Sequence, residues 1–130
     1  MGRRSMINDY FPDKLCFEDA GMRGSSRCFR LEKPFSYVSS KGTIIVPEGF
    51  ITDGASIPKV FWSILAPFGD YFAAAVIHDY LYNKECPLYN RKEADLIFKE
   101  AMFNIGVPWY RRDIVYQAVN TFGWACFRKA

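Results

Sequence analysis

Apolar residues follow two rhythms along this chain, and the change between them separates a strand-forming first half from a helix-forming second half. From Arg27 onward, short runs rich in β-branched and aromatic residues alternate with turn signals. The runs are Cys28-Phe29-Arg30-Leu31, Phe35-Ser36-Tyr37-Val38 and Thr43-Ile44-Ile45-Val46, broken by Lys33-Pro34 and Ser39-Ser40-Lys41-Gly42. That pattern predicts two or three antiparallel strands joined by short turns. Farther on, apolar positions recur at helical spacing over Asp70 to about Lys84, Arg91 to about Ile105 and Trp109 to about Phe127, with Pro87, Gly106 and Pro108 at the breaks. A shorter helix is expected through Val60, Phe61, Trp62 and Leu65, with Ser56 as its cap, Pro58 near its first turn and Pro67 as its stop. In the last helix, Ile114, Val115, Ala118, Val119 and Phe122 form an expected core stripe beneath exposed Arg111, Arg112 and Gln117.

Residues 1–25 mix charges with small residues and end in Gly21-Met22-Arg23-Gly24-Ser25-Ser26, the composition of an arm or loop that orders on a partner. Residues 26–130 are expected to form a single α+β domain. Its architecture is a small antiparallel sheet of two to four strands in the N-terminal half, packed on a three- to four-helix C-terminal unit.

Composition narrows the class. A chain of 130 residues suits one domain, and at that size roughly two thirds of the unfolded surface can be buried. Twelve Phe, eight Tyr and three Trp predict a ring-rich core. The net charge of +3 is spread in short groups such as Arg111 and Arg112, so no basic face argues for nucleic acid. The longest apolar run, Tyr71 to Ile77, is far short of the roughly 20 residues a membrane span needs. Cys16, Cys28, Cys86 and Cys126 are widely spaced, and no charged-then-apolar leader precedes them. The expectation is therefore reduced, mostly buried thiols in a host cytoplasm or a virion.

The chemistry concentrates on one helix. Tyr71 to Tyr82 is apolar on nearly every side, yet it carries the single histidine, His78, followed by Asp79. One histidine excludes a multi-histidine zinc site within the chain. A buried carboxylate costs several kcal/mol, roughly, unless it is compensated, so Asp79 is expected to have a hydrogen-bonding, cationic or metal partner. On the next helix Asp95 lies at the margin of the apolar stripe with Phe98 and Met102, and an antiparallel hairpin of the two helices would bring it to His78 or Asp79. A carboxylate on one imidazole nitrogen orients the ring and leaves the other nitrogen to take a proton from water. His78 and Asp95 are thus the candidate catalytic base and orienter. Asp79 and Asp53 are candidate ligands for Ca²⁺ or Mg²⁺, and Thr52, Ser56 and Tyr82 are candidates for holding substrate or the loop that carries Asp53. The alternative is structural: His78 and Asp79 bond the Thr52 to Ser56 loop within a buried polar network.

With Gly49-Phe50-Ile51-Thr52-Asp53-Gly54-Ala55-Ser56-Ile57-Pro58, Phe61-Trp62, His78-Asp79-Tyr80-Leu81-Tyr82 and Ala94-Asp95 assembled, the chain resembles a domain family of unknown function found in bacteriophages and prophages, over about residues 27 to 122. The resemblance implies a phage source and brings no activity. A looser similarity is to phospholipase A2, whose His-Asp-x-x-Tyr helix is followed by an antiparallel helix bearing another Asp. It implies that His78 activates water, Asp79 binds calcium and Asp95 orients His78. The glycine-rich calcium loop and the disulfide framework of that family have no counterpart here. Two functions follow as expectations. One is a His-Asp hydrolase of esters or phosphoesters. The other is a non-enzymatic phage component of the virion tail, baseplate or head-to-tail region, or a host-factor binder, reached through the N-terminal arm.

Overall fold

A computed structural model of the chain describes residues 8–53, 57, 59–65, 71–84, 86, 88–125 and 127. The fold is α+β, with small antiparallel sheets in the N-terminal half and four α-helices in the C-terminal part. Five strands, β1 (Phe17–Arg23), β2 (Ser26–Leu31), β3 (Phe35–Ser39), β4 (Gly42–Val46) and β5 (Ile51–Thr52), precede α1 (Trp62–Leu65), α2 (Tyr71–Tyr82), α3 (Arg91–Asn104) and α4 (Trp109–Phe122). Two compact units result, one through Asp53 and the other from Gly54.

In the first unit the strands form two sheets, one in the order β1-β2-β5 and the other a β3-β4 hairpin, all antiparallel. The three sequence runs from Cys28 to Val46 lie in β2, β3 and β4. Period-two alternation sends Phe35 and Tyr37 of β3 and Ile44 and Val46 of β4 inward. The segment expected to be an arm or loop departs from that expectation. Phe17–Arg23 pairs with β2, aided by exposed ion pairs Asp19–Arg27 (2.6 Å) and Glu18–Arg30 (3.0 Å), and bulges where Gly21 takes φ 88°. Its polar side chains remain outside, so composition resembles a loop although the backbone is paired. Upstream, Phe11 is fully buried, with its ring 5.9 Å from Phe35 and 4.7 Å from Tyr37, and the Val38 amide donates to the Tyr10 carbonyl at 2.8 Å.

In the second unit α2 packs on α3, α3 on α4, and α1 against α4. The ends of α3 are well defined. Asn90 and Glu93 form a reciprocal capping box at its start. At its end Gly106, at φ 94°, lets the Val107 and Gly106 amides return to the Met102 and Phe103 carbonyls. The last helix ends at Phe122, short of the expected Phe127, and passes into a 3₁₀ turn over Gly123–Ala125. Its expected core stripe is also only half buried: Val115, Ala118 and Val119 are enclosed, whereas Ile114 and Phe122 are exposed and Arg111 and Arg112 are half-buried. The expected helix cap Ser56 and the stop Pro67 lie outside the described residues.

Candidate functional site

Helix α2 is buried on nearly every side, through the small and aliphatic residues Ala73 to Ile77 and Leu81, and among these the sequence sets one imidazole. Opposite it, α3 buries Ala94, Asp95, Ile97, Phe98, Ala101 and Met102. The two helices run antiparallel, because Tyr82 meets Asp95 while His78 meets both Asp95 and Phe98. His78 Nε2 lies 3.0 Å from Asp95 Oδ1, and the Tyr82 hydroxyl donates to the same oxygen at 2.5 Å. A carboxylate only accepts, so it places the ring proton on Nε2. The imidazole is held between rings, with centroids 4.2 Å from Tyr82 and 4.5 Å from Phe98. Both His78 and Asp95 have 0% of their surface exposed.

The second carboxylate oxygen has a different environment. Among the described residues Asp95 Oδ2 has no hydrogen-bond partner, and it faces the Arg91 guanidinium at 3.6 Å, one helical turn earlier. Arg91 Nη1 also donates to the Asn120 carbonyl at 2.8 Å, so the same cation that faces Asp95 ties α3 to the end of α4. That end contributes a second constraint. A Cβ on Gly123 would collide with the Tyr82 hydroxyl oxygen and lie 3.0 Å from Cζ and 3.1 Å from Cε2. Glycine here makes room for the phenol, whose ring also meets Phe127 edge-on at 5.1 Å.

Burial, and next the hydrogen bond to Asp95, push the Tyr82 phenol well above its ordinary pKa of 10.0, against a smaller opposing pull from Arg91. A phenol that holds its proton in the folded state while the unfolded chain releases it contributes stability that is fully present below the ordinary value. The contribution is lost as pH rises past it. Relative to Tyr82→Phe, the native chain is expected to lose additional stability above about pH 10, at up to about 1.4 kcal/mol per pH unit. Urea midpoints measured across alkaline pH check this; parallel curves for the two proteins would contradict it.

The other expected site residues fall elsewhere. Asp79, expected as a buried carboxylate with a compensating partner, is only half-buried. Thr52 is buried in β5 opposite Phe29, and half-buried Asp53 follows it; both belong to the first unit. Ser56 lies outside the described residues. Among the described residues no three His, Cys, Asp or Glu side chains gather where they could hold a metal ion. Cys16, Cys28 and Cys86 are not in disulfides, and the last two are buried. Sequence reasoning missed Arg91 and Gly123. The i,i+4 spacing of Arg91 and Asp95 was a usable signal, whereas Gly123 acts through a contact 41 positions away in the chain, which no local pattern marks.

Residues 29–119 match the model of the family described as protein of unknown function (DUF1353), and the chain belongs to that family. An uncharacterized protein, y4jT, of Sinorhizobium fredii (strain NBRC 101917 / NGR234) is 41% identical over 100 residues. The aligned region is 73% of this chain and 29% of that protein, so the chain spans less than a third of the relative's length. No solved structure matches. No helix among the described residues is long and apolar enough to cross a membrane.

Proposed function

We propose that this chain is an interaction module in which His78, Asp95, Tyr82 and Arg91 clamp three helices together, and that it acts by binding instead of by turning over a substrate. One observation carries the reading: the imidazole and the carboxylate are both completely enclosed. A general base must reach the proton it removes, directly or through one water. The setting we attach to it is that of the phage-associated family the chain resembles, as a virion component or a binder of a host factor. A hydrolase is the second reading, favoured by the shared Oδ1 that takes both His78 and Tyr82 and by the fit of His78, Asp79, Tyr82 and Asp95 to the phospholipase A2 pattern.

Two measurements separate them. Because His78 is the one imidazole in the chain, the ultraviolet band of the N-carbethoxyimidazole formed by diethyl pyrocarbonate reports on it alone, and this modification is expected only at the rate of unfolding. Nitrophenyl ester and phosphodiester substrates, with added Ca²⁺ or Mg²⁺, are expected to be hydrolysed no faster than by His78→Asn. Turnover abolished in a folded His78→Asn variant would instead establish the hydrolase.

A further inference from the structure

The strands of the first unit leave one bare edge. In an antiparallel ladder, every second residue pair turns its backbone groups away from the neighbouring strand. Along β3 and β4 those pairs are Ser36 with Ile45 and Val38 with Thr43, because the outward amides of β3 have acceptors elsewhere. Ser36 donates to Asp13 Oδ2 at 2.9 Å and Val38 to the Tyr10 carbonyl at 2.8 Å. The corresponding amides and carbonyls of Thr43 and Ile45 point to the far side of β4, where no protein group among the described residues meets them. Both residues are exposed, Ile45 with 56% of its surface open.

The other edges carry features that keep a strand from pairing outside its own sheet. β1 bears Glu18, Asp19 and Arg23 and is bulged, β5 is two residues long, and the edge of β3 is taken by Tyr10 and Asp13. β4, with the sequence Gly42-Thr43-Ile44-Ile45-Val46, has no charge, no proline and no bulge. Outward donors and acceptors at strand spacing are satisfied by another extended backbone, and β4 is itself such a backbone. Laid antiparallel on its own copy about Ile44, it sets Thr43 opposite the partner's Ile45 as a hydrogen-bonded pair, and the two-fold axis repeats the pair. On the exposed face Val38, Thr43 and the partner's Ile45 then lie side by side across three strands, as β-branched neighbours. The same register brings exposed Lys41, just before β4, near the partner's Glu48, just after it, and does so at both ends. Backbone, apolar side chains and charge thus match in one arrangement. Because the far edge of β3 is occupied, the joined sheet closes in the order β3-β4-β4-β3 and does not continue into a fibre.

We propose that two copies of this chain pair through β4, edge to edge and antiparallel about a two-fold axis at Ile44. The proposal rests on the interaction reading above and deepens it by naming one partner. Pairing over so short a strand buries less than the ~800 Å² that each partner gives to a stable interface, so the dimer is expected to be reversible. Sedimentation equilibrium of the full chain is expected to show a monomer–dimer equilibrium. Amide exchange followed by NMR reads the edge itself: the Thr43 and Ile45 amides are expected to gain protection as concentration rises, whereas Ile44 and Val46, whose amides face β3, are protected throughout. Ile45→Lys places a charge on the bare edge, and is expected to raise the dissociation constant by about tenfold while the melting temperature stays unchanged. Lys41→Glu is expected to weaken the dimer about two- to fivefold, and adding Glu48→Lys to restore it. A chain that stays monomeric at NMR concentration, assembly beyond a dimer, a dimer indifferent to Ile45→Lys, or a charge swap that restores nothing would each overturn the proposal. Failure here would remove the second copy as partner, whereas ester or phosphodiester turnover lost in folded His78→Asn would remove the interaction reading itself.

Discussion

Asp95→Ala is expected to lose about 3–5 kcal/mol of stability, the range for removing one member of a buried charged network. The loss comes less from the missing bonds than from the groups left behind. His78 Nε2 and the Tyr82 hydroxyl share one acceptor, Asp95 Oδ1, and Arg91 faces the other oxygen. Removing the carboxylate leaves a buried donor on each of two rings without the acceptor it had. Asp95→Asn is expected to cost clearly less, because its amide oxygen can still accept from both rings. The residual cost arises where the amide nitrogen turns its hydrogens toward the Arg91 guanidinium. Urea denaturation of the two variants checks the order; equal losses would mean that the charge, and not the acceptor at Oδ1, holds the cluster.

Gly123→Ala is the second large effect, and a single methyl group causes it. The added carbon occupies the position of the Tyr82 hydroxyl, so either the 3₁₀ turn after α4 moves away or the phenol leaves Asp95. Overpacking and a lost buried hydrogen bond together put the cost at about 2–4 kcal/mol. For a chain of this size that is a fall in melting temperature of roughly 10 °C. The atom responsible can be identified by repeating the substitution in Tyr82→Phe, where the colliding oxygen is absent. The penalty is expected to fall by at least half, and additive effects of the two substitutions would show that the collision lies elsewhere.

The parts of the fold that follow from local rhythm were legible in the sequence. β2, β3 and β4 lie on the β-branched and aromatic runs, and α2, α3 and α4 begin and end close to the proline and glycine breaks. The pairing of His78 with Asp95 was also legible, because an inward-leaning carboxylate on the return helix of an antiparallel hairpin has few other places to go. What local rhythm could not give are contacts made at a distance. β1 has polar side chains on both faces and is held by its partner strand, not by an apolar face, so its composition resembles an arm. Phe11 lies in the segment whose composition suggested an arm or loop, and it is β3, 24 and 26 positions on, that supplies the Phe35 and Tyr37 rings it meets. The exposed half of the α4 stripe was invisible for the opposite reason: helical spacing marks apolar positions without saying whether another element covers each of them.

Ala74 and Ala75, one turn before His78 on the same face of α2, put small side chains on the side that meets α3, and such a surface lets a neighbouring helix slide. Dispersion forces would change little if α3 shifted by one residue, because they have no preferred direction. Hydrogen bonds do. A one-residue step moves a side chain about 1.5 Å along the axis and about 100° around it, which would carry the Asp95 carboxylate away from both rings at once. The enclosed polar cluster thus encodes where α3 stops along α2, and so which residues α3 presents to α4: position is specified by a few directional bonds where the apolar core alone would leave several settings nearly equal.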